Sequence, residues 1–220
     1  MHDDEPNSAF ARRFAAVAAF IGWAALVLQL VLSIELATTA GRSAAWGVLN
    51  YLSFYTVLTN FLVAFALTAA ATRAQGAFWR FFRRPGVATA IAASIAVVGL
   101  SYHFLLRNIW DPQGLLWLCN ALLHYVMPVL FLVYWWIGVP ARGVAYRNIP
   151  TWWIYPIAYL VYSLARGVVE GVYPYPFIDA STIGYPRLAV NALALLIVFT
   201  LIAALLVALG RAKPGGSKKV

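Results

Sequence analysis

The sequence predicts an all-α membrane protein in which six transmembrane helices form one bundle. Hydrophobic residues make up 63% of the 220 residues and charged residues only 10%, whereas a soluble domain carries about 25% charged residues. Apolar residues run continuously through six segments instead of alternating, which favours helices over the strands of a membrane barrel. The basic residues are distributed unequally between the two sets of loops, and this predicts both termini in the cytoplasm.

Six segments are long enough to cross a membrane as helices. A spanning helix needs about 20 mostly apolar residues, and the segments that meet this condition are residues 14–34, 49–71, 87–106, 115–136, 152–169 and 188–209. The first is too long for the core of a signal peptide and follows acidic residues, so we interpret it as a true span. Residues 1–13 are then a cytoplasmic tail, residues 14–209 the membrane domain, and residues 210–220 a basic disordered tail.

The loops contain most of the 16 lysines and arginines of the chain. Twelve of these residues lie in the two tails and in the loops after the second and fourth segments, while the opposite side has four. Because cytoplasmic loops carry the excess of basic residues, both termini are expected inside. No basic stretch is long enough to follow a phosphate backbone, so we expect the lipid bilayer and no nucleic acid as a partner.

Polar residues of the predicted spans concentrate in the outer half of the membrane. The second segment contains four whose spacing predicts one narrow stripe along a continuous helix: Asn50, Ser53, Thr56 and Asn60. The later segments contain His103, Asn120, His124, Arg166 and Glu170 near their outer ends. Polar groups in lipid must be paired or wetted. We therefore expect Asn50, Ser53, His103, Asn120, His124 and Arg166 to line one pocket, bounded by the segment that contains Tyr175.

The stretch WLCNALLHYVMPVLF places His124 near the middle of the fourth segment. Pro128 has no N–H to donate to the carbonyl of His124, which predicts a loosened or kinked helix beside the imidazole. An imidazole and a hydroxyl on neighbouring helices are the minimum for acyl transfer, since the imidazole takes the proton while the oxygen attacks an ester. The spans contain no carboxylate that could orient the imidazole, so a dyad is expected rather than a triad.

Three stretches, NYLSFYTVLTN, LCNALLHYVMPVLF and GVYPYPFID, occur in this order along the chain. With their order and spacing the chain resembles the androgen-induced-protein family of six-span membrane proteins and its bacterial relatives. Animal members of that family hydrolyse fatty-acid esters of hydroxy fatty acids with an intramembrane threonine and histidine. The resemblance implies an intramembrane hydrolase of small amphiphilic lipid esters. We expect it in the bacterial inner membrane, with no cofactor and no metal ion.

The resemblance also assigns roles to individual residues. The histidine of the family, which has an asparagine four positions earlier, matches His124, and its threonine falls on Ser53. The expected dyad is therefore Ser53 as nucleophile and His124 as base. Thr56 lies one turn deeper and closer to the level of His124, and it is the alternative nucleophile. The other expected pocket residues are Asn50, Asn60, His103, Asn120, Arg166, Glu170 and Tyr175, of which Tyr175 belongs to the YPF element of the family.

Two other functions stay open at this point. A transporter or lipid-binding protein without catalytic activity could use the same cavity, and the charged pair Arg166 and Glu170 and the interrupted segment VYPYPF would suit it. Polar side chains can also merely tie helices together. A haem protein with His103 and His124 as axial ligands is less favoured, since their depths differ by several residues.

Overall fold

The computed structural model describes residues 5–140 and 144–213. Every regular element among these residues is a helix, as the continuous apolar runs predict. The α-helices are α1 Glu5–Thr39, α2 Ala44–Tyr51, α3 Tyr55–Thr72, α4 Ala77–Phe82, α5 Pro85–Ser101, α6 Gly114–Ala121, α7 Met127–Gly138, α8 Ile149–Trp152, α9 Ile154–Glu170 and α10 Ala180–Ala212. Two π-helical turns, Tyr102–Leu106 and Leu122–Val126, extend α5 and join α6 to α7.

Five helical segments are long and apolar enough to span a membrane, which is the composition of an integral membrane protein. They are Ala9–Thr39, Tyr55–Thr72, Pro85–Leu106, Gly114–Gly138 and Ala180–Ala212. The other predicted span coincides with α9, a helix of 17 residues. This helix buries Ser163 and Arg166 and exposes Val161 and Val168. These two polar residues thus face the protein while the two valines face outward, the reverse of a helix on a soluble protein.

The predicted tails are shorter in the structure. Residues 5–13, which the sequence assigns to the N-terminal tail, belong to α1. Gly210, Arg211 and Ala212, assigned to the disordered C-terminal tail, belong to the end of α10. Lys213 is also ordered, since its ammonium donates to the backbone oxygens of Trp135 at 2.7 Å and Val139 at 3.0 Å. The remaining residues of the predicted tail, 214–220, lie outside the described residues.

The second predicted span is interrupted, and the prediction of one continuous helix there is wrong. α2 ends at Tyr51, and α3 begins at Tyr55 after an extended Phe54. The interruption leaves the carbonyl of Ser53 and the amide of Thr56 without helical partners. The hydroxyl of Tyr159 donates to the first at 2.9 Å, and the second donates to the hydroxyl of Tyr175 at 3.3 Å. Buried backbone groups must be paired, so these distant tyrosines make the break possible.

The bundle is built around α3, α5 and α7. α1 packs against α2, α3 and α7, and α5 packs against α3, α7 and α10. The main core contains large fully buried side chains from several of these helices, including Leu67, Ile95, Phe131 and Phe199. The connections 40–43, 107–113 and 171–179 follow α1, the π-helical turn after α5, and α9. Residues of all three line one cavity, so these connections lie at one end of the bundle. We call this end the site end.

The loosening predicted beside Pro128 is confirmed as the π-helical turn Leu122–Val126, in which the amide of Met127 donates to the carbonyl of Leu122. The carbonyl of His124 receives no hydrogen bond from Pro128, which has no N–H, and it lies against α5. A Cβ atom on Gly99 would lie 3.2 Å from this oxygen and 3.4 Å from Cβ of Pro128. Small residues let membrane helices approach closely, so Gly99 allows the turn that bears His124 to pack on α5.

Candidate functional site

A cavity of about 480 Å³ lies at the site end of the bundle. Its wall is formed by parts of α1, α2, α3 and α6, both π-helical turns and the connections 40–43, 107–113 and 171–179. Most of the wall is apolar. Polar residues of the wall include Asn50, Thr56, Asn120, His124 and Tyr175. We call this space the larger cavity.

The imidazole of His124 makes two polar contacts with defined roles. Its Nδ1 lies 3.0 Å from the backbone oxygen of Asn120, and its Nε2 lies 3.3 Å from the hydroxyl oxygen of Thr56. A carbonyl oxygen can only accept, so Nδ1 holds the proton of the neutral ring. Nε2 is therefore the acceptor, and it faces the hydroxyl of Thr56 as a base would.

The orientation of the imidazole is also set by packing. The ring of His124 stacks on the ring of Tyr102, with centroids 4.2 Å apart. The hydroxyl of Tyr102 in turn accepts a hydrogen bond from the side-chain amide of Asn120. Asn120 therefore orients the imidazole in two ways, directly through its backbone oxygen and indirectly through Tyr102. Tyr102 is not predictable as a site residue from the sequence, because nothing in its local pattern marks it as a partner of Asn120 and His124, which lie 18 and 22 positions later.

The hydroxyl of Thr56 has a second neighbour, Tyr175. The phenol oxygen lies 3.3 Å from the hydroxyl oxygen of Thr56 and accepts from the amide of the same residue at 3.3 Å. Burial raises the pKa of Tyr175, so the phenol keeps its proton, and that proton is available to the Thr56 oxygen. The Tyr175 ring is held between Phe54 and Phe177, with centroid distances of 5.8 and 5.1 Å.

The interruption between α2 and α3 places Thr56 in the first turn of α3. One turn deeper, Asn60 is fully buried. Its side-chain amide donates to the backbone oxygens of Thr56 at 2.8 Å and Leu123 at 3.2 Å. Asn60 thus ties the start of α3 to the π-helical turn that bears His124. It does not line the larger cavity and supports the site from below.

Ser53, the expected nucleophile, lies in the interruption itself. Its hydroxyl donates to the backbone oxygen of Leu49 at 2.6 Å, and the side chain is fully buried. Thr56, and not Ser53, is the hydroxyl within hydrogen-bonding distance of His124 among the described residues. The physical reason is the interruption: a continuous helix would keep both residues on one stripe, whereas the break turns Ser53 back toward α2.

His103 is separate from this group. Arg107 donates to its Nε2 at 3.2 Å, and its Nδ1 lies 3.3 Å from the hydroxyl of Tyr125. It does not line the larger cavity. The two membrane histidines, His103 and His124, therefore bond to different neighbours. Among the described residues, no three His, Cys, Asp or Glu side chains are grouped so that they could hold a metal ion.

Arg166 and Glu170 form a pair beside the larger cavity. Nε of Arg166 donates to a carboxylate oxygen of Glu170 at 2.9 Å, and Nη2 donates to the side-chain oxygen of Asn50 at 3.4 Å. The guanidinium is buried, and neither charged residue lines the cavity. The expected convergence is therefore partial. Asn50, Asn120 and His124 meet in one cavity bounded by Tyr175, whereas Ser53, His103 and Arg166 do not line it.

A second, mostly apolar cavity of about 220 Å³ adjoins the first. Side chains of α5, α9 and α10 form most of its wall. Thr56, Leu106 and Tyr175 line both cavities. Thr56 and Tyr175 thus lie at the boundary between a smaller apolar space and the larger cavity, and His124 contacts Thr56 from the side of the larger cavity. We call the smaller space the apolar cavity.

No protein-family model, curated protein or solved structure matches this chain. The resemblance to the androgen-induced-protein family therefore stays a prediction from the sequence.

Proposed function

We propose that this protein hydrolyses carboxylic esters of amphiphilic lipids within the membrane, with Thr56 as nucleophile and His124 as general base. The observation that supports this most directly is the contact of 3.3 Å between the hydroxyl oxygen of Thr56 and Nε2 of His124. Nδ1 of His124 donates a hydrogen bond to the backbone carbonyl of Asn120. This selects the tautomer in which Nε2 carries no proton, as a base requires. Such contacts shorten when substrate binds.

The reaction proceeds in two steps, acylation of Thr56 and hydrolysis of the acyl-enzyme. His124 takes the hydroxyl proton as the Thr56 oxygen bonds to the ester carbonyl carbon, and the imidazolium then protonates the departing alkoxide, which leaves as an alcohol. The acyl group is now bound to Thr56. Water, deprotonated by His124, attacks this ester, and the Thr56 oxygen departs with the proton. The products are one carboxylic acid and one alcohol, and the enzyme is restored.

Asn120 and Tyr175 have supporting roles in this mechanism. The backbone oxygen of Asn120 stabilises the imidazolium that forms on His124, as a carboxylate does in a triad. The phenol of Tyr175 is the neutral side-chain donor beside the Thr56 hydroxyl, at 3.3 Å, and we assign it to the negative charge that develops on the carbonyl oxygen. A donor in a site with little water stabilises such charge strongly.

The two cavities support a lipid ester as the substrate. An ester has two arms, and Thr56 lies where the two cavities meet. One arm occupies the apolar cavity and the other the larger cavity, while the ester bond lies at the boundary. A threonine nucleophile also agrees with what the sequence resemblance implies for the family, although at Thr56 rather than at the position of Ser53.

We also propose the finer membrane topology of six spans, with both termini in the cytoplasm of a bacterial cell. α8 and α9 together cover residues 149–170, separated only by Trp153, and 22 residues are enough for a tilted span. The apolar residues that α9 exposes support contact with lipid. The positive-inside rule applied to the loops supports the orientation and puts the site end on the outer side.

A direct test is incubation of the purified protein with a fluorogenic medium-chain ester, followed by labelling with a fluorophosphonate. We expect hydrolysis and a covalent adduct on the peptide that contains Thr56. The peptide sequence separates Thr56 from Ser53 once the modified residue is located by fragmentation. Hydrolysis without an adduct on either hydroxyl would contradict a threonine nucleophile.

The second candidate is a lipid-binding protein or transporter without catalytic activity. The observation that favours it is Arg166, whose buried Nη1 has no hydrogen-bond partner among the described residues and which the dyad does not use. In that case the cavities would bind an amphiphile, and no ester would be cleaved. A comparison of ligand binding with ester turnover in the same preparation separates the two functions.

A further inference from the structure

The larger cavity has one charged residue in its wall, Arg42. It lies in the connection 40–43 at the site end, between α1 and α2. Its guanidinium carbon is 5.2 Å from the ring centroid of Trp46, a residue that also lines the cavity. The described residues contain one ion pair, Arg166 with Glu170, so no carboxylate of the described residues is ion-paired with Arg42.

The rest of the wall is neutral. It contains the indole rings of Trp46, which lies beside Arg42, and of Trp110. On α1 the side-chain amide of Gln29 donates to the hydroxyl of Ser33 at 3.1 Å, and these two groups satisfy each other in part. No acidic residue lines the cavity. An anion at the Arg42 end would therefore meet a cation and no carboxylate in the cavity wall.

Arg42 and Thr56 are in different parts of the same cavity wall. Arg42 is exposed in the connection at the end of the bundle, whereas Thr56 and His124 are in helices within it. A molecule that fills the cavity thus has a polar end at Arg42 and an apolar body among the side chains between. The guanidinium binds carboxylates and phosphates in a bidentate manner, and its place over Trp46 limits its rotation.

We propose that the larger cavity binds an amphiphile with an anionic head group, a carboxylate or a phosphate, and that Arg42 pairs with this group. The head group then lies at the site end, and the apolar body extends toward Thr56. This inference rests on the proposed function only where the bound amphiphile is also the substrate. In that case Arg42 selects esters whose larger arm ends in an anion.

A second role for Arg42, contact with the head groups of bulk lipid, must be distinguished from binding of an anion in the cavity. Arginines near the ends of membrane helices extend toward lipid head groups. In that role Arg42 would contact bulk lipid, and its loss would affect neutral and anionic ligands equally. Arg107 provides a matched control, because it is an exposed arginine at the same end of the bundle that does not line the cavity.

The test measures binding to the full chain in neutral detergent, with Thr56→Val present to prevent turnover. The probes are 12-carbon chains with a terminal pyrene that end in a carboxylate, a phosphate or a hydroxyl. We expect both anionic probes to bind at least about 10-fold more tightly than the alcohol, the size of effect of one charge-assisted pair. Arg42→Gln should abolish the difference, Arg42→Lys should keep part of it, and Arg107→Gln should leave it unchanged.

The outcomes distinguish this inference from the proposed function. A preference for only one of the two anions supports the inference and identifies the head group. Equal binding of the alcohol and both anions, or an equal effect of Arg42→Gln and Arg107→Gln, overturns it. Arg42-dependent binding in a protein that cleaves no ester would support the inference and contradict the proposed function. Ester cleavage whose rate depends neither on the charge of the substrate nor on Arg42 would support the proposed function and contradict the selection of anionic esters by Arg42. Elution volume and helical content show whether each variant is folded.

Discussion

The hydroxyl of Tyr175 lies 3.3 Å from both the amide nitrogen and the hydroxyl oxygen of Thr56. One phenol thus satisfies the backbone that the α2–α3 interruption leaves free and also contacts the proposed nucleophile. These two residues are 119 positions apart in the chain. The segment after α9 and the start of α3 therefore form the site only when the bundle is assembled.

Substitution of the two candidate nucleophiles should give opposite results. Thr56→Ala should reduce ester cleavage by about 10²–10⁴-fold or more, since general-base catalysis alone contributes that much. Ser53→Ala should retain most of the activity, because the hydroxyl of Ser53 is bonded to the backbone of Leu49. The measurement is the rate with a fluorogenic ester at matched protein concentration. An inactive Ser53→Ala beside an active Thr56→Ala would restore the assignment made from the sequence.

Loss of the base should not add to loss of the nucleophile. His124→Ala should be about as inactive as Thr56→Ala, and the double variant should be no worse than either, because members of a catalytic unit are not additive. Rates of the three variants and of the unaltered protein complete the comparison. Strictly additive losses would indicate that the two residues act independently, for example through stability.

Tyr175→Phe tests the proposed donor. Removal of one oxyanion donor lowers kcat by about 10²–10³-fold, and we expect a decrease of this order with a smaller change in KM. Tyr162→Phe is the control, because Tyr162 is an exposed tyrosine on α9 that lines neither cavity. A pure increase in KM for Tyr175→Phe would assign the phenol to substrate binding instead.

Gly99→Val should disturb the site from the far side of the π-helical turn. A Cβ atom at this position would lie 3.2 Å from the backbone oxygen of His124, and the larger valine would displace the turn. Overpacking of this kind costs about 1–3 kcal/mol, so we expect a lower melting temperature and reduced ester cleavage. Gly86→Val is the matched control, since nothing lies within 4 Å of a Cβ atom there. Equal effects of the two substitutions would show that Gly99 has no special role.

Reporter fusions at Ala145, Ala180 and Val220 test the topology. If α9 spans the membrane with α8 and both termini are cytoplasmic, Ala145 and Val220 report the cytoplasm and Ala180 the opposite side. Two reporters are needed, one active in the cytoplasm and one active on the opposite side, so that each location gives a positive signal. The same location for Ala145 and Ala180 would leave five spans and place α9 on one surface.

The helical fold and His124 could be predicted from the sequence, because both are local properties. Continuous apolar runs require helices in lipid, and the predicted loosening at Pro128 follows from its missing N–H. His124 with Asn120 one turn earlier is likewise visible as a polar pair in an apolar run. In the structure, the imidazole of His124 is hydrogen-bonded to the backbone oxygen of Asn120 and not to its side chain.

The choice between Ser53 and Thr56 depended on tertiary structure. The sequence alone predicts one helix from residue 49 to residue 71, with both hydroxyls on one face. The chain breaks instead, because Tyr159 and Tyr175 supply hydrogen bonds to the freed backbone of Ser53 and Thr56. Those partners are more than 100 residues away, and no local pattern reports them. By itself the sequence determined the helices and the imidazole, whereas the packing of α9 and the following segment decided which hydroxyl the imidazole meets.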